Sequence, residues 1–134
     1  MRSFTAVFLI ALGISVAGSG NASAQAAFSV NVAAGHQVRA LWTYSINPDC
    51  TSLGPIVVRI TQAPQQGRVS IRNDRAFPNF PNSNVRNVCN ARRVPGVAAY
   101  YQAASGYVGF DSISFDVIFP NGSYRQYTTN IQVR

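Results

Sequence analysis

Few residues of this sequence have side chains that could catalyse a reaction or ligate a metal. Its 134 residues include one histidine, two cysteines, four aspartates and eleven arginines, with neither glutamate nor lysine. His36 stands alone, outside any Gly-x-Ser-x-Gly motif or metal-ligand spacing. Nothing in the spacing of the aspartates points to the paired carboxylates of glycoside hydrolysis. The sequence therefore predicts a protein that is not an enzyme and that uses no cofactor and no metal.

The two cysteines, Cys50 and Cys89, are predicted to form a disulfide bond. An even pair of cysteines in an exported chain is typical of a disulfide. The bond would close a loop of about 40 residues. By lowering the entropy of the unfolded chain, it would stabilise the folded protein by roughly 4 kcal/mol. A metal site is the alternative, but two cysteines and one distant histidine make a poor ligand set.

The charged residues give the chain a basic character. Residues 25–134 keep ten arginines and all four aspartates, a formal charge of +6. A basic surface favours anionic partners such as acidic glycans, lipid head groups or envelope polymers, and arginine can bind a carboxylate or phosphate through two parallel hydrogen bonds. A genomic base composition that replaces lysine by arginine throughout explains the same counts. Composition alone leaves both explanations open.

The first 24 residues have the pattern of a secretory signal peptide. A positively charged start with Arg2 precedes an apolar run over 4–17, and Ala22-Ser23-Ala24 provides a small-residue cleavage site. The apolar run is shorter than the roughly 20 residues that span a bilayer. We therefore expect cleavage after Ala24 and a single domain over 25–134, periplasmic or secreted, with no transmembrane segment.

Alternating apolar and polar residues predict that this domain consists of strands. Residues 28–32 alternate and predict a first strand at a sheet edge. In 38–46 the even positions are apolar, which predicts a second strand with Trp42 in the core. Leu41 is the exception to this alternation.

Two further strands are predicted on either side of a turn at 63–67. Residues 56–61 and 68–72 both alternate, and Pro64 and Gly67 are typical of a turn between them. If these strands form a hairpin, its solvent face carries an arginine cluster made of Arg59, Arg68 and Arg72. A merely solvated face is the alternative interpretation of the cluster.

A long polar loop is predicted over 73–90, where six asparagines and two prolines make a strand improbable. Loops of this length are uncommon in compact domains and often functional. The segment and its flank supply the remaining candidate binding residues, which are Phe77, Phe80, Arg86, Arg92 and Arg93. A tolerated insertion without a binding role is the alternative.

The last two strands are predicted to form a hairpin whose register can be read from the residues. A two-residue turn at Asn121-Gly122 would place polar residues of the last strand opposite the apolar face of 113–119. A three-residue loop, Pro120-Asn121-Gly122, pairs Phe115 with Tyr127 and Asp111 with Ile131 instead. Proline suits the start of a type I turn and glycine suits the left-handed position, so we predict the three-residue loop.

Several motifs between residues 56 and 133 form one pattern. They are Pro64-Gln-Gln-Gly67-Arg-Val69, Tyr101, Gly106-Tyr-Val-Gly109-Phe-Asp111-Ser-Ile113-Ser-Phe115-Asp-Val117, and Asn121-Gly122. The pattern resembles the bacterial cadherin-like and Ig-like repeats. This resemblance implies an all-β, Ig-like Greek-key β-sandwich of about seven strands, of a kind found in surface adhesion and extracellular proteins.

Two functional hypotheses follow. The first is a small exported, non-catalytic module that binds an anionic glycan, lipid or envelope polymer, or a protein partner. The second is a structural or assembly module of a cell-surface or periplasmic complex, whose strand edges or exposed aromatics pair with another subunit. Nucleic acid is not expected as a partner, because the basic chain carries no recognition motif for it.

Overall fold

Seven β-strands form the protein in the computed structural model, which describes Gly18 and residues 25–134. One 3₁₀-helix, Val85–Ala91, lies between the fourth and fifth strands. The predicted signal peptide, residues 1–24, lies outside the described residues except for Gly18. The strands are β1 Gln25–Val32, β2 Gln37–Thr43, β3 Val57–Gln62, β4 Gly67–Ala76, β5 Val94–Ala103, β6 Gly109–Ile118 and β7 Tyr124–Val133.

The strands form two sheets packed face to face, which confirms the predicted all-β sandwich. One sheet has the order β1-β7-β6-β3 and the other the order β2-β5-β4. Strand β1 is parallel to β7, and the remaining pairs are antiparallel. Strands β1 and β2 lie against each other at one side of the sandwich. The edge strands at the other side are therefore β3 and β4.

The core lies between the sheets and follows the predicted alternation. Ile113, Phe115 and Val117 of β6 are fully buried, and they face Ala99 and Tyr101 of β5, which are also fully buried. Burying an apolar side chain of this size contributes roughly 1.5–3 kcal/mol to folding. The core therefore depends mainly on the two central strands, β5 and β6.

The final hairpin has the predicted three-residue loop. Phe115 pairs with Tyr127 and Asp111 with Ile131, and the Phe119 N–H donates to the Ser123 carbonyl at 2.9 Å. Gly122 adopts a φ of 82°, a left-handed conformation that glycine reaches without steric cost. This register keeps Tyr127 and Ile131 on the core face.

Strands β3 and β4 do not form the hairpin on which the arginine cluster depends, because they belong to different sheets. Strand β3 pairs with β6 and β4 pairs with β5. The backbone N–H groups of Gln65 and Gln66 donate to the Asp111 carboxylate at 2.9 and 2.8 Å, which holds the connection against β6 as the chain crosses between sheets. Arg59 consequently lies on the four-stranded sheet, away from Arg68 and Arg72.

Trp42 does not lie in the core between the sheets, as the alternation predicts, because β2 contains a bulge; it packs instead against a second cluster around Ile46, Cys89 and Val94. The register shifts between Arg39, which pairs with Tyr100, and Leu41, which pairs with the buried Ala99. The extra residue reverses the two faces of the strand, so Leu41 points into the core and the half-buried Trp42 points outward. Leu41, the exception in the sequence pattern, marks this bulge.

Candidate functional site

The outer face of the three-stranded sheet brings together three arginines and two aromatic side chains. Arg72 of β4 and Trp42 of β2 flank Ala98 of β5, whereas Arg39 lies opposite Tyr100 in the neighbouring row. Arg68 lies one further row along, opposite Gln102. We call this surface the basic face, and it consists of Arg39, Trp42, Arg68, Arg72 and Tyr100.

Two of these arginines stack on aromatic rings. The Cζ atom of Arg72 lies 3.9 Å from the centroid of the Tyr100 ring, and that of Arg39 lies 5.6 Å from the Trp42 ring. A cation over the face of an aromatic ring is attracted by the ring quadrupole. Stacking fixes the plane of each guanidinium and leaves its N–H edge available for a carboxylate or phosphate.

Asp74 anchors the ring beneath Arg72. The Tyr100 hydroxyl donates a hydrogen bond to Oδ2 of Asp74, and the Arg75 backbone N–H donates to Oδ1 at 2.8 Å. The Tyr100 hydrogen bond, followed by that from Arg75, lowers the pKa of Asp74. Asp74 is therefore ionised at neutral pH and holds Tyr100 in position.

Small residues of β5 make room for Trp42. A Cβ atom on Gly96 would lie 2.6 Å from Cη2 of the Trp42 ring and 2.2 Å from the Thr43 carbonyl oxygen. The ring thus lies across the backbone of β5, and its indole N–H donates to the Phe77 carbonyl at 3.3 Å. This close approach requires glycine at position 96.

Replacing Gly96 by alanine is expected to displace Trp42 and to cost about 1–3 kcal/mol of stability, as overpacking typically does. Trp42 is the only tryptophan, so its fluorescence emission reports the displacement directly. Gly122→Ala provides the control for the fluorescence signal: its φ of 82° makes alanine strained, but no atom lies within 4 Å of a Cβ there, so it should lower stability without changing the Trp42 emission. An unchanged emission maximum in Gly96→Ala would contradict the close approach.

No carboxylate in residues 25–134 accepts a hydrogen bond from the arginines of the basic face, although the charge of Arg72 helps to lower the pKa of the neighbouring Asp74. Within residues 25–134 the aspartate side chains accept hydrogen bonds from hydroxyl, backbone N–H or side-chain amide groups, and no guanidinium donates to them. Thr51 donates to Asp49; Tyr100 and Arg75 donate to Asp74; Gln65, Gln66, Tyr101 and Ser112 donate to Asp111; and Tyr124 and Gln126 donate to Asp116. The guanidinium groups of the face are thus available to an external anion.

The other candidate arginines do not converge on one site. Arg86 donates through Nε to the Ile46 carbonyl at 2.6 Å, and Arg93 donates to the Arg75 carbonyl at 2.7 Å. Arg92 is exposed and ends the 3₁₀-helix. Only Arg68 and Arg72 of the predicted cluster lie together.

The Asn-rich segment forms a second small core rather than an open binding loop. Strand β4 extends to Ala76, so the predicted loop over 73–90 is wrong for its first four residues. Cys50 and Cys89 form the predicted disulfide, and Cys89 is fully buried. Phe80 packs against this cluster whereas Phe77 is exposed.

Asparagine side chains hold the segment together. The Asn90 side chain accepts from the Phe80 N–H and donates to its carbonyl, both at 2.9 Å. Asn84 caps the 3₁₀-helix by accepting from the Arg86 N–H at 2.8 Å. These amides satisfy backbone groups that have no partner strand, which explains why the segment is rich in asparagine.

A groove of about 720 Å³ lies between the inner side of β4–β5 and residues 52–56. Arg75 and Arg93 line it, but each donates to the backbone carbonyl of the other. His36 is exposed and its Nδ1 lies 3.0 Å from the Ala34 carbonyl oxygen. Among the described residues, no three His, Cys, Asp or Glu side chains are grouped to hold a metal, and no helix could span a membrane.

Sequence reasoning missed three of the five residues of the basic face. The sequence assigns no role to Arg39 or Tyr100, and the alternation places Trp42 in the core. Comparisons with protein-family models, with curated proteins and with solved structures find no match.

Proposed function

We propose that the protein is an exported, non-catalytic β-sandwich module that binds an anionic polymer of the cell envelope through the basic face. One observation carries the proposal. Arg39, Arg68 and Arg72 share one exposed sheet face, and two of them are held on aromatic rings.

The spacing of the arginines favours a polymer over a small anion. Arg68 and Arg72 are four residues apart on one strand, which places them roughly 13 Å apart, and β2 and β4 are separated by about 10 Å. These spacings between strand positions spread the three arginines over a surface longer than a small anion. A chain that carries repeated charges can bind all three at once, and binding at several points strengthens the complex.

Acidic glycans fit this surface best among envelope polymers. A guanidinium binds a carboxylate through two parallel hydrogen bonds, and uronic acid chains carry carboxylates at regular intervals. The signal-peptide pattern supports export, and the disulfide is typical of an oxidising compartment.

Replacing the three arginines together by alanine is expected to weaken binding to a polyuronic acid at least about tenfold, since each exposed ion pair contributes modestly. Isothermal titration calorimetry at low ionic strength measures the change. Wild-type affinity should also fall steeply as salt is added, because salt screens exposed charges.

A triple variant with the same charge provides the matched control. Arg59 and Arg125 belong to the four-stranded sheet and Arg134 follows its strand β7, so Arg59→Ala/Arg125→Ala/Arg134→Ala should bind nearly as the wild type does. Equal losses in both triple variants would mean that net charge alone attracts the polymer. Absence of wild-type binding at low salt would overturn the proposal.

A further inference from the structure

The outer edge of β4 is a regular, unpaired strand edge in the part of the chain that the structure describes. Strand β4 pairs with β5 over ten residues without a break in register, and β5 in turn pairs with β2. The other edges differ. Strands β2 and β3 contain bulges, and β1 lies beside β2. Bulges are one of the ways in which proteins protect strand edges from pairing, and β4 has none.

The backbone groups at this edge can be assigned from two contacts. The Gln66 carbonyl accepts from the Ala104 N–H, so even-numbered residues direct their backbone groups toward β5. The Arg75 carbonyl accepts from the Arg93 side chain, which places odd-numbered residues at the outer edge. Successive residues of a strand point their backbone groups in opposite directions. The backbone N–H and C=O groups of Val69, Ile71 and Asn73 therefore face outward from the sheet.

The sandwich is also incompletely closed on this side. Ile71 lies opposite the fully buried Ala99, and Ile60 of β3 lies opposite the fully buried Phe115, so both point inward. Ile71 is nevertheless 36% exposed and Ile60 38% exposed. A further strand beside β4 would cover apolar surface as well as pair the backbone.

We propose that β4 pairs with β4 of a second copy of this chain in an antiparallel, twofold-symmetric dimer centred on Ile71. In this register Ile71 lies opposite Ile71 of the second copy, and Val69 lies opposite Asn73. On the outer face Arg68 lies opposite Asp74 of the second copy, twice by symmetry. Opposite charges on directly paired residues stabilise a strand pair.

Neighbouring registers are less favourable. Centring the pair on Asn73 requires the backbone of Arg75, whose carbonyl is bound by Arg93 and whose N–H is bound by Asp74. Centring it on Val69 places Arg68 opposite Ser70, and Arg72 opposite Gln66, without an ion pair. Centring it on Ser70 places Arg68 opposite Arg72, and centring it on Arg72 places two copies of Arg72 opposite each other. The register centred on Ile71 therefore combines outward-facing central backbone groups, an apolar contact and complementary charges.

The dimer joins the two three-stranded sheets into one six-stranded sheet. A twofold axis perpendicular to the sheet leaves both basic faces on the same side, so they form one longer surface. The pairing rests on the edge of β4 and not on the proposed polymer binding, so either can hold without the other. Because such an interface is small, dimer formation depends on protein concentration.

Sedimentation velocity of the purified protein over a range of concentrations tests the proposal. Arg68→Asp should weaken the dimer at least about tenfold, because it places two aspartates opposite each other at both symmetric positions. Arg68→Ala should weaken the dimer less than Arg68→Asp does, because it removes the attraction without adding a repulsion. Arg59→Asp makes the same change of charge on the other sheet and should have little effect.

Asn73→Pro provides a second test that does not depend on charge. Proline removes only an N–H at the outer edge, where it is tolerated in strands, so the variant should remain folded by circular dichroism and sediment as a monomer. The proposal would be overturned if the wild type remained monomeric up to about 1 mM, because only very weak association escapes detection at that concentration. A dimer that Arg68→Asp leaves unchanged would also overturn it.

Discussion

Replacing Asp111 by alanine is expected to lower the free energy of unfolding by about 2–4 kcal/mol. The carboxylate accepts four hydrogen bonds, from the backbone N–H groups of Gln65, Gln66 and Ser112 and from the Tyr101 hydroxyl, at 2.8–2.9 Å. Tyr101 is fully buried, so its hydroxyl loses its partner without gaining water. An unsatisfied buried donor costs more than the hydrogen bond itself contributes.

The position of Asp111 in the fold adds to this cost. Its four donors lie on β5, on β6 and on the connection between β3 and β4, so one carboxylate links the two sheets to the crossing segment. Without it, the backbone amides of Gln65 and Gln66 lose the contact that directs the chain from one sheet to the other. We therefore expect cooperative loss of stability rather than local loosening of a turn.

The stability that Asp111 provides should depend on pH. Burial raises the pKa of Asp111, but the hydrogen bonds from Gln65, Gln66, Tyr101 and Ser112 outweigh burial and the pKa is lowered. A folded-state pKa below the unfolded value of about 3.9 means that the stabilisation is complete above that pH. It is lost as the pH falls through the folded-state pKa. Burial, together with the hydrogen bond to Asp111, raises the pKa of Tyr101, so its hydroxyl remains a neutral donor.

Urea unfolding at pH 7 and at pH 3 checks both expectations. Wild-type stability should fall between these pH values by more than that of Asp111→Ala. Asp116→Ala is the matched control, because this aspartate lies on the same strand but accepts only from the Tyr124 hydroxyl and the Gln126 amide. It should lose about 1 kcal/mol or less. Equal losses in the two variants would show that the buried network adds nothing.

The sequence predicts those parts of the fold that depend on local patterns. Alternation identifies the core face of β6 because burial requires every second residue to be apolar, and it does so without knowledge of the partner strand. The loop Pro120-Asn121-Gly122 determines the register of β6 and β7 because both strands adjoin it. The disulfide follows from the only two cysteines.

Pairing between distant strands could not be predicted in the same way. Consecutive strands with a proline–glycine turn suggest a hairpin, yet Asp111, more than 40 residues from Gln65, turns the chain into the other sheet. The bulge in β2 likewise depends on its pairing with β5, and a single extra residue exchanges the environments of Leu41 and Trp42. Periodicity cannot locate one inserted residue unless the pattern shows an exception such as Leu41.

The basic face was missed for the same reason. Arg39, Arg72 and Tyr100 come from three strands, and they become neighbours only through the order β2-β5-β4. The unusual composition of the Asn-rich segment suggests a binding loop, but its side-chain amides mainly form hydrogen bonds with its own backbone. Unusual composition here reflects a segment that lacks a partner strand, whereas the candidate site consists of residues that are ordinary in strands.

Removing the disulfide by Cys50→Ala/Cys89→Ala is expected to lower the free energy of unfolding by about 4 kcal/mol, since the bond closes a long loop in the unfolded chain. The two cysteines are 39 residues apart in sequence. Cys89 is also fully buried beside Ile46 and Val94, so the second core loses apolar contacts. The variant should unfold at lower urea concentration, with a steeper denaturant dependence because its unfolded chain is more expanded.

Wild-type protein treated with a reductant is the matched control and should unfold as the double variant does. Without the disulfide, the structure around Trp42 should unfold at a lower urea concentration than the sandwich core, because Trp42 packs against the second core and Phe115 does not. Trp42 fluorescence should therefore change at lower urea concentration than the far-ultraviolet circular dichroism of the strands. Superimposable transitions in the reduced protein would show instead that the disulfide stabilises both cores as one cooperative unit, and an unchanged midpoint would contradict its role in stability.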